Sequence, residues 1–192
     1  MAEVKKPAKM TFLAIEFAAR AHSGQFRKGT DLPYLLHPLG VAKILIEAGA
    51  DEEIVVAGLL HDTTEDAGAS LPEIRQTFGD RVADLVQAAS EPDKSASWEN
   101  RKRHTLEQVK SLPLSALLVE AADKLDNIRA IREDHEKLGD AMFSRFNRGK
   151  DSQRWYYQGL AKAFLDRTAE GAGEIFRQFK AEVEKVFGKL EA

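Results

Sequence analysis

The twelve residues "AGLLHDTTEDAG", 57–68, hold the densest chemistry of the chain: two leucines run straight into His61, Asp62, Glu65 and Asp66. On a helix His61 and Glu65 share a face, as do Asp62 and Asp66, and the two pairs are offset by about one 100° step. Four polar groups therefore fan over one edge of a helix end. Carboxylates crowded at the end of an apolar segment repel one another, and must take up protons or find a cation. A bound divalent ion removes the conflict. Imidazole with carboxylate suits manganese, iron or zinc, and a chain without cysteine excludes thiolate sites and disulfides and leans away from structural zinc. Against this stands the bland reading, a solvated helix end.

Two other stretches shift the balance. His37 precedes Pro38 at the start of an apolar helix, 24 residues ahead of His61, and Asp123 interrupts the apolar helical face of "VEAADKLDNIRAI". Taken singly, His37 is a histidine at a helix start, and Asp123 has Lys124 and Arg129 for partners. The joint pattern His, His-Asp, Asp, each on a separate predicted helix, is a ligand set. Arg27 and Lys28 precede His37 in what reads as a loop, and such side chains can bind phosphate oxygens. Asn127, four residues after Asp123, shares its helical face.

The order His37, His61-Asp62, Asp123 resembles the HD superfamily of metal-dependent phosphohydrolases. More narrowly, "GQFRKGTDLPYLLHP", "GLLHDTTEDAG" and "ADKLDNIR" resemble the hydrolase domain of the RelA/SpoT family, which also occurs alone in small alarmone hydrolases. The likeness runs from about Phe12 to Ile131, and nothing resembles that family's synthetase or regulatory domains. The resemblance implies that His37, His61, Asp62 and Asp123 hold one divalent ion, typically Mn²⁺, and that Glu65 and Asp66 are the catalytic pair that polarises and deprotonates the attacking water. It places Arg27 and Lys28 on substrate phosphates, Tyr34 near the nucleoside, and Asn127 and Arg129 on the substrate side. The implied reaction removes the 3′-pyrophosphate from guanosine tetra- or pentaphosphate, ppGpp or pppGpp, to give GDP or GTP. Alternatives are an HD phosphohydrolase for an adenosine alarmone, a nucleoside monophosphate or the 2′-phosphate of NADPH, or a non-catalytic nucleotide-sensing module. Two departures touch the nucleoside pocket: "GTDL" between Lys28 and Pro33 is one residue longer than in the long bifunctional enzymes, and Asp126 stands where those often carry histidine or tyrosine.

The elements that must position these residues read as helices. "TFLAIEFAARAHSG" and "HPLGVAKILIEAG" each stop at glycine, Asp51 caps a segment that is apolar from Ile54 to Leu60, and Ser70 with Glu73 fits a capping box before Gly79. "WENRKRHTLEQVKS", a long helix from about Leu114, and a C-terminal pattern through Phe176, Phe179 and Val183 follow. The expectation is all-α: a compact multi-helix HD-domain globule of about eight or nine helices, with residues 1–10 a flexible N-terminus and 11–192 one domain carrying additional C-terminal helices. With 192 residues and 43% hydrophobic content the chain is long enough for one substantial core. Its 28 basic and 31 acidic residues argue against nucleic-acid binding by bulk positive charge. Nowhere do about 18 uninterrupted apolar residues occur, so no membrane is expected, and a cytoplasmic location fits. The implied partner is a small phosphorylated nucleotide, and oligomeric state is left open. Arg145, Arg148 and the Arg101–Arg103 cluster read as solvated faces, and Trp155, Tyr156 and Tyr157 as packing.

Overall fold

Asp51 and Ser70 end two loops by local chemistry. The Asp51 carboxylate accepts the Ile54 N–H at 3.1 Å, and the Ser70 hydroxyl accepts the Glu73 N–H at 3.3 Å. The computed structural model describes residues 9–66, 68–90 and 95–190, and among these every regular element is helical; the one β feature is an isolated bridge between Phe26 and Pro33. Helices α1 (Lys9–Ala21), α2 (Leu36–Glu47), α3 (Glu52–Leu60), the single turn α4 (Thr63–Asp66), α5 (Leu71–Phe78) and α6 (Asp80–Ala89) form the first half. The second half holds α7 (Trp98–Val109), α8 (Leu114–Leu138), α9 (Lys150–Asp166) and α10 (Gly173–Phe187), with 3₁₀ segments at Gly139–Arg145 and Thr168–Glu170. Gly79 separates α5 from α6 at φ +93°, a conformation that side chains with a Cβ rarely adopt.

Two helices carry the architecture. In α3 every residue from Ile54 to Leu60 is buried, the mark of a central helix rather than an amphipathic one, and it packs against α1, α2, α6 and α8. The 25-residue α8 is the spine, touching α2, α3, α6 and α10 through Ala121, Ala122, Leu125 and Ile128. Close approach is built in at Gly58, where a Cβ would lie 2.4 Å from Leu45 Cδ1, so α3 meets α2 tightly three residues before His61. Of the additional C-terminal helices α10 packs along α8 and α9 packs on α10 and α7, with Phe164, Phe176 and Phe179 buried. No helix among the described residues is long and apolar enough to cross a membrane.

The first helix begins two residues inside the stretch expected to be flexible. Thr11 N–H donates to Glu52 Oε1 at 3.1 Å and Met10 rests on the core, so tertiary contacts fix a start that composition does not mark. Residues 1–8, and Glu91 to Lys94 of the expected loop "EPDKSAS", lie outside the described residues.

Because Leu125 is fully buried between the two halves, Leu125→Ala is expected to cost about 2–5 kcal/mol, the transfer loss plus a cavity. Urea unfolding should show a lower midpoint at an unchanged slope.

Candidate active site

Three elements bring the ligand set together. His37 sits in the first turn of α2, His61 caps the C-terminal end of α3 with Asp62 following, and Asp123 faces them from mid-α8. Each imidazole is held by its outer nitrogen. His61 Nδ1 donates to the Gly58 carbonyl at 2.8 Å, which puts the proton on Nδ1 because a carbonyl can only accept. His37 Nδ1 bonds Asp126 Oδ2 at 2.7 Å. Both Nε2 atoms then point inward: His37 Nε2 is 3.1 Å from Asp123 Oδ1 and 3.5 Å from Asp62 Oδ2, and His61 Nε2 is 3.0 Å from Asp62 Oδ2 and 3.7 Å from Asp123 Oδ1.

His61 Nε2 is buried and has no hydrogen-bond partner among the described residues. An orphaned buried nitrogen is costly, and here it faces two carboxylate oxygens and a second imidazole nitrogen. Ligand atoms of His37, His61 and Asp123 all lie within 4.8 Å of one another, and Asp62 Oδ2 adds a fourth. The donors fit one divalent ion with room for further oxygen ligands.

The electrostatics say the same. Burial alone would lower the His37 pKa, but the Asp123, Asp126 and Asp62 carboxylates outweigh it and hold the imidazole up to about 10. His61, also opposed by burial, is raised well above its usual value by Asp62 and Asp123. Burial would raise Asp62 and Asp123, yet the His61 charge pulls Asp62 well below its usual range and Lys124 does the same to Asp123. Protons on the two imidazoles occupy the place a cation would take. Beneath them, Lys124 Nζ donates to Asp123 Oδ2 at 2.5 Å and lies 3.2 Å from Glu120, which engages the outer oxygen of Asp123 and leaves Oδ1 to the cluster.

Next to the ligands opens a cavity of about 280 Å³, lined in part by Arg27, Lys28, Tyr34, Asn127, Arg145 and Tyr157. Arg27 donates to Asp126 Oδ2 at 2.9 Å and to Asn127 Oδ1 at 3.2 Å, and Asn127 Nδ2 donates to Asp123 Oδ1 at 2.6 Å. Lys28 donates to Asn147 at 3.3 Å. Tyr34 lines the cavity and its hydroxyl donates to Asp62 Oδ2 at 2.5 Å, so it orients one of the expected ligands. Glu65 is half-buried in α4, one turn beyond Asp62; the side chain of Asp66, which closes α4, lies outside the described residues.

Arg129 is placed elsewhere. Two residues beyond Asn127 is about 200° around a helix, and Arg129 accordingly reaches the far side of α8, where it donates to Gln178 of α10 at 2.9 Å. Conversely, the cavity uses residues that the sequence left as surface or unassigned. Arg145 pairs with Asp134 at 3.0 Å and presses against Gly29, where a Cβ would lie 2.4 Å from Arg145 Cδ at a backbone φ of +72°. The spacing Asp123, Asn127, Ala130, Asp134 along one helical face is a signal that could have found Asp134.

Fold and site together define an all-α domain whose buried His–Asp cluster could hold a metal ion. The model of a family described as HD domain matches residues 14–145, and the chain belongs to that family. It is 44% identical over 119 residues to a human protein named guanosine-3′,5′-bis(diphosphate) 3′-pyrophosphohydrolase MESH1, covering 60% of this chain and 66% of that one. It is 39% identical over 131 residues to a protein of Aquifex aeolicus with the same enzymatic name, covering 65% of this chain but 18% of the relative's length. A solved structure described as a metazoan orthologue of SpoT that hydrolyses ppGpp superposes with a TM-score of 0.76 at 28% identity, covering 95% of this chain and 97% of the other.

Metal binding must displace protons from this cluster. With His37 held at about 10 in the metal-free protein, affinity for a divalent ion is expected to rise as pH increases from 6 towards 9 and to fall as the imidazoles regain protons. Calorimetric titration of Mn²⁺ in buffers of different ionisation enthalpy should register net proton release at pH 7.

Proposed function

We propose that the chain is a metal-dependent pyrophosphohydrolase that removes the 3′-pyrophosphate from ppGpp or pppGpp, giving GDP or GTP and pyrophosphate, with Mn²⁺ as its ion. The observation that carries this reading is that the His37, His61, Asp62 and Asp123 cluster adjoins a cavity lined by Arg27 and Lys28, two of whose other lining residues, Tyr34 and Asn127, hydrogen-bond Asp62 and Asp123. Membership of the HD domain family and likeness to relatives named for this reaction support it.

When bound, a divalent ion supplies Lewis-acid activation of water and neutralises phosphate charge. The chain does the rest. Two of the five N–H donors of Arg27 are engaged by Asp126 and Asn127, and the remaining donors bind phosphate oxygens and offset the charge that develops as water adds to phosphorus. Lys28 adds a point charge at the same mouth. Glu65, one turn beyond the ligand Asp62, takes the proton of the attacking water, and Asp66 orients that water with it. As the bond between phosphorus and the ribose 3′ oxygen breaks, the proton passes to that oxygen. Tyr34 keeps Asp62 turned inward throughout.

Protein loaded with Mn²⁺ and incubated with ppGpp should release GDP and pyrophosphate in equal amounts by anion-exchange chromatography. Glu65→Gln should lower kcat by about 10²–10⁴-fold, the usual share of a general base, while Mn²⁺ affinity stays close to wild type. Cleavage of NADPH or an adenosine nucleotide with ppGpp left intact would overturn the substrate assignment. An activity indifferent to Glu65→Gln would overturn the catalytic role.

A further inference from the structure

Asp126 enters no step of the reaction above, yet it touches both halves of the site. Its single oxygen Oδ2 accepts from His37 Nδ1 at 2.7 Å and from Arg27 at 2.9 Å. The circuit closes on the other side: Arg27 donates to Asn127 at 3.2 Å, Asn127 donates to Asp123 Oδ1 at 2.6 Å, and that oxygen lies 3.1 Å from His37 Nε2. We propose that Asp126 is a positioning residue that ties the metal ligand His37 to the phosphate-binding Arg27 through one shared carboxylate oxygen. The inference rests on the metal and phosphate reading of the site.

The chemistry favours a carboxylate here. Two N–H donors converge on one atom, and charge-assisted hydrogen bonds are roughly twice as strong as neutral ones. A carboxylate on the outer nitrogen of a ligand histidine fixes the tautomer, so that Nε2 presents its lone pair, and makes the ring a better donor. The same oxygen holds the Arg27 guanidinium beside the ligand cluster, so the phosphate-binding group and the metal ligand share one anchor on α8.

A second helix is shaped around this carboxylate. Gly40 lies three residues after His37 on α2, and a Cβ there would stand 2.1 Å from Asp126 Oδ1. Gly40 is in ordinary helical backbone and needs no left-handed conformation. What glycine provides at this position is room for Asp126. Gly40→Ala is therefore a way to displace the carboxylate without altering Asp126 itself.

The test compares wild type, Asp126→Asn, Gly40→Ala and Arg27→Gln by calorimetric titration with Mn²⁺, and by ppGpp kinetics at saturating Mn²⁺. Asp126→Asn and Gly40→Ala should each weaken Mn²⁺ binding by about 10–100-fold, as loss of a partner to a ligand histidine does. With metal restored to saturation they should still raise KM for ppGpp more than they lower kcat. Arg27→Gln should raise KM and leave Mn²⁺ affinity near wild type. An Asp126→Asn protein that melts like wild type and binds Mn²⁺ as tightly overturns the proposal; so does weakened Mn²⁺ binding with an unchanged KM, which removes the tie to Arg27. Should Gly40→Ala fail to fold, Asp126→Asn decides alone. If wild type leaves ppGpp intact, the proposed function fails, and the tie is then read from titrations of Mn²⁺ and of inorganic phosphate into the Mn²⁺-loaded protein, with the same expected losses.

Discussion

Two imidazoles and two carboxylates meet where α2, α3 and α8 converge, and that meeting is what the fold has to accommodate. Apolar burial brings the three helices together, with α3 buried along its length and α8 buried on the face that meets it. The same burial strips water from His37, His61 and Asp123, so each must find its solvation inside the protein. The outer atoms do: His61 on a main-chain carbonyl, His37 on Asp126, and Asp123 on Lys124. The inner atoms are left facing one another, which is favourable with a cation between them and requires extra protons without one.

Local backbone choices serve that arrangement. Gly58 provides the carbonyl that orients His61 and, lacking a Cβ, lets α3 close on Leu45 of α2. The half-buried Lys124 beneath the cluster is itself held by Glu120 and Asp123, and its pKa is raised well above the usual lysine value by these neighbours although burial opposes it. Removing Lys124 would leave the buried Glu120 and Asp123 without their shared cation, the costly way to break such a group. The site is thus layered, with a charged floor inside the helical core and the ligands above it.

How much of this was legible in the sequence follows the range of the interactions. The caps at Asp51 and Ser70 are decided within three residues, and they were readable as such. His61 with Asp62 was visible as neighbouring residue types at the end of an apolar helix, and Asp123 with Asn127 because a four-residue spacing places them on one helical face. Their union with His37 was readable only as a joint pattern, supported by the resemblance. The cavity wall was not. Arg145 and Tyr157 come from segments far along the chain, and nothing near Arg145 in sequence says that its stem will lie on Gly29. Arg129 is the converse case: the resemblance implied a place on the substrate side, whereas the helix turns it towards α10.

Asp126 joins these threads. In sequence it was a departure, an acid where related enzymes often carry a ring, and by itself it would add one more negative charge to an already acidic cluster. In the structure that charge is matched by Arg27 across 99 residues of chain and by the outer nitrogen of His37 across 89. A charge change at one position is therefore intelligible only with the space that Gly40 leaves on the facing helix. Residue type and helical spacing make the candidate ligands the easiest part of this site to read, whereas Asp126 and Gly40, which meet across two helices, become legible only in three dimensions.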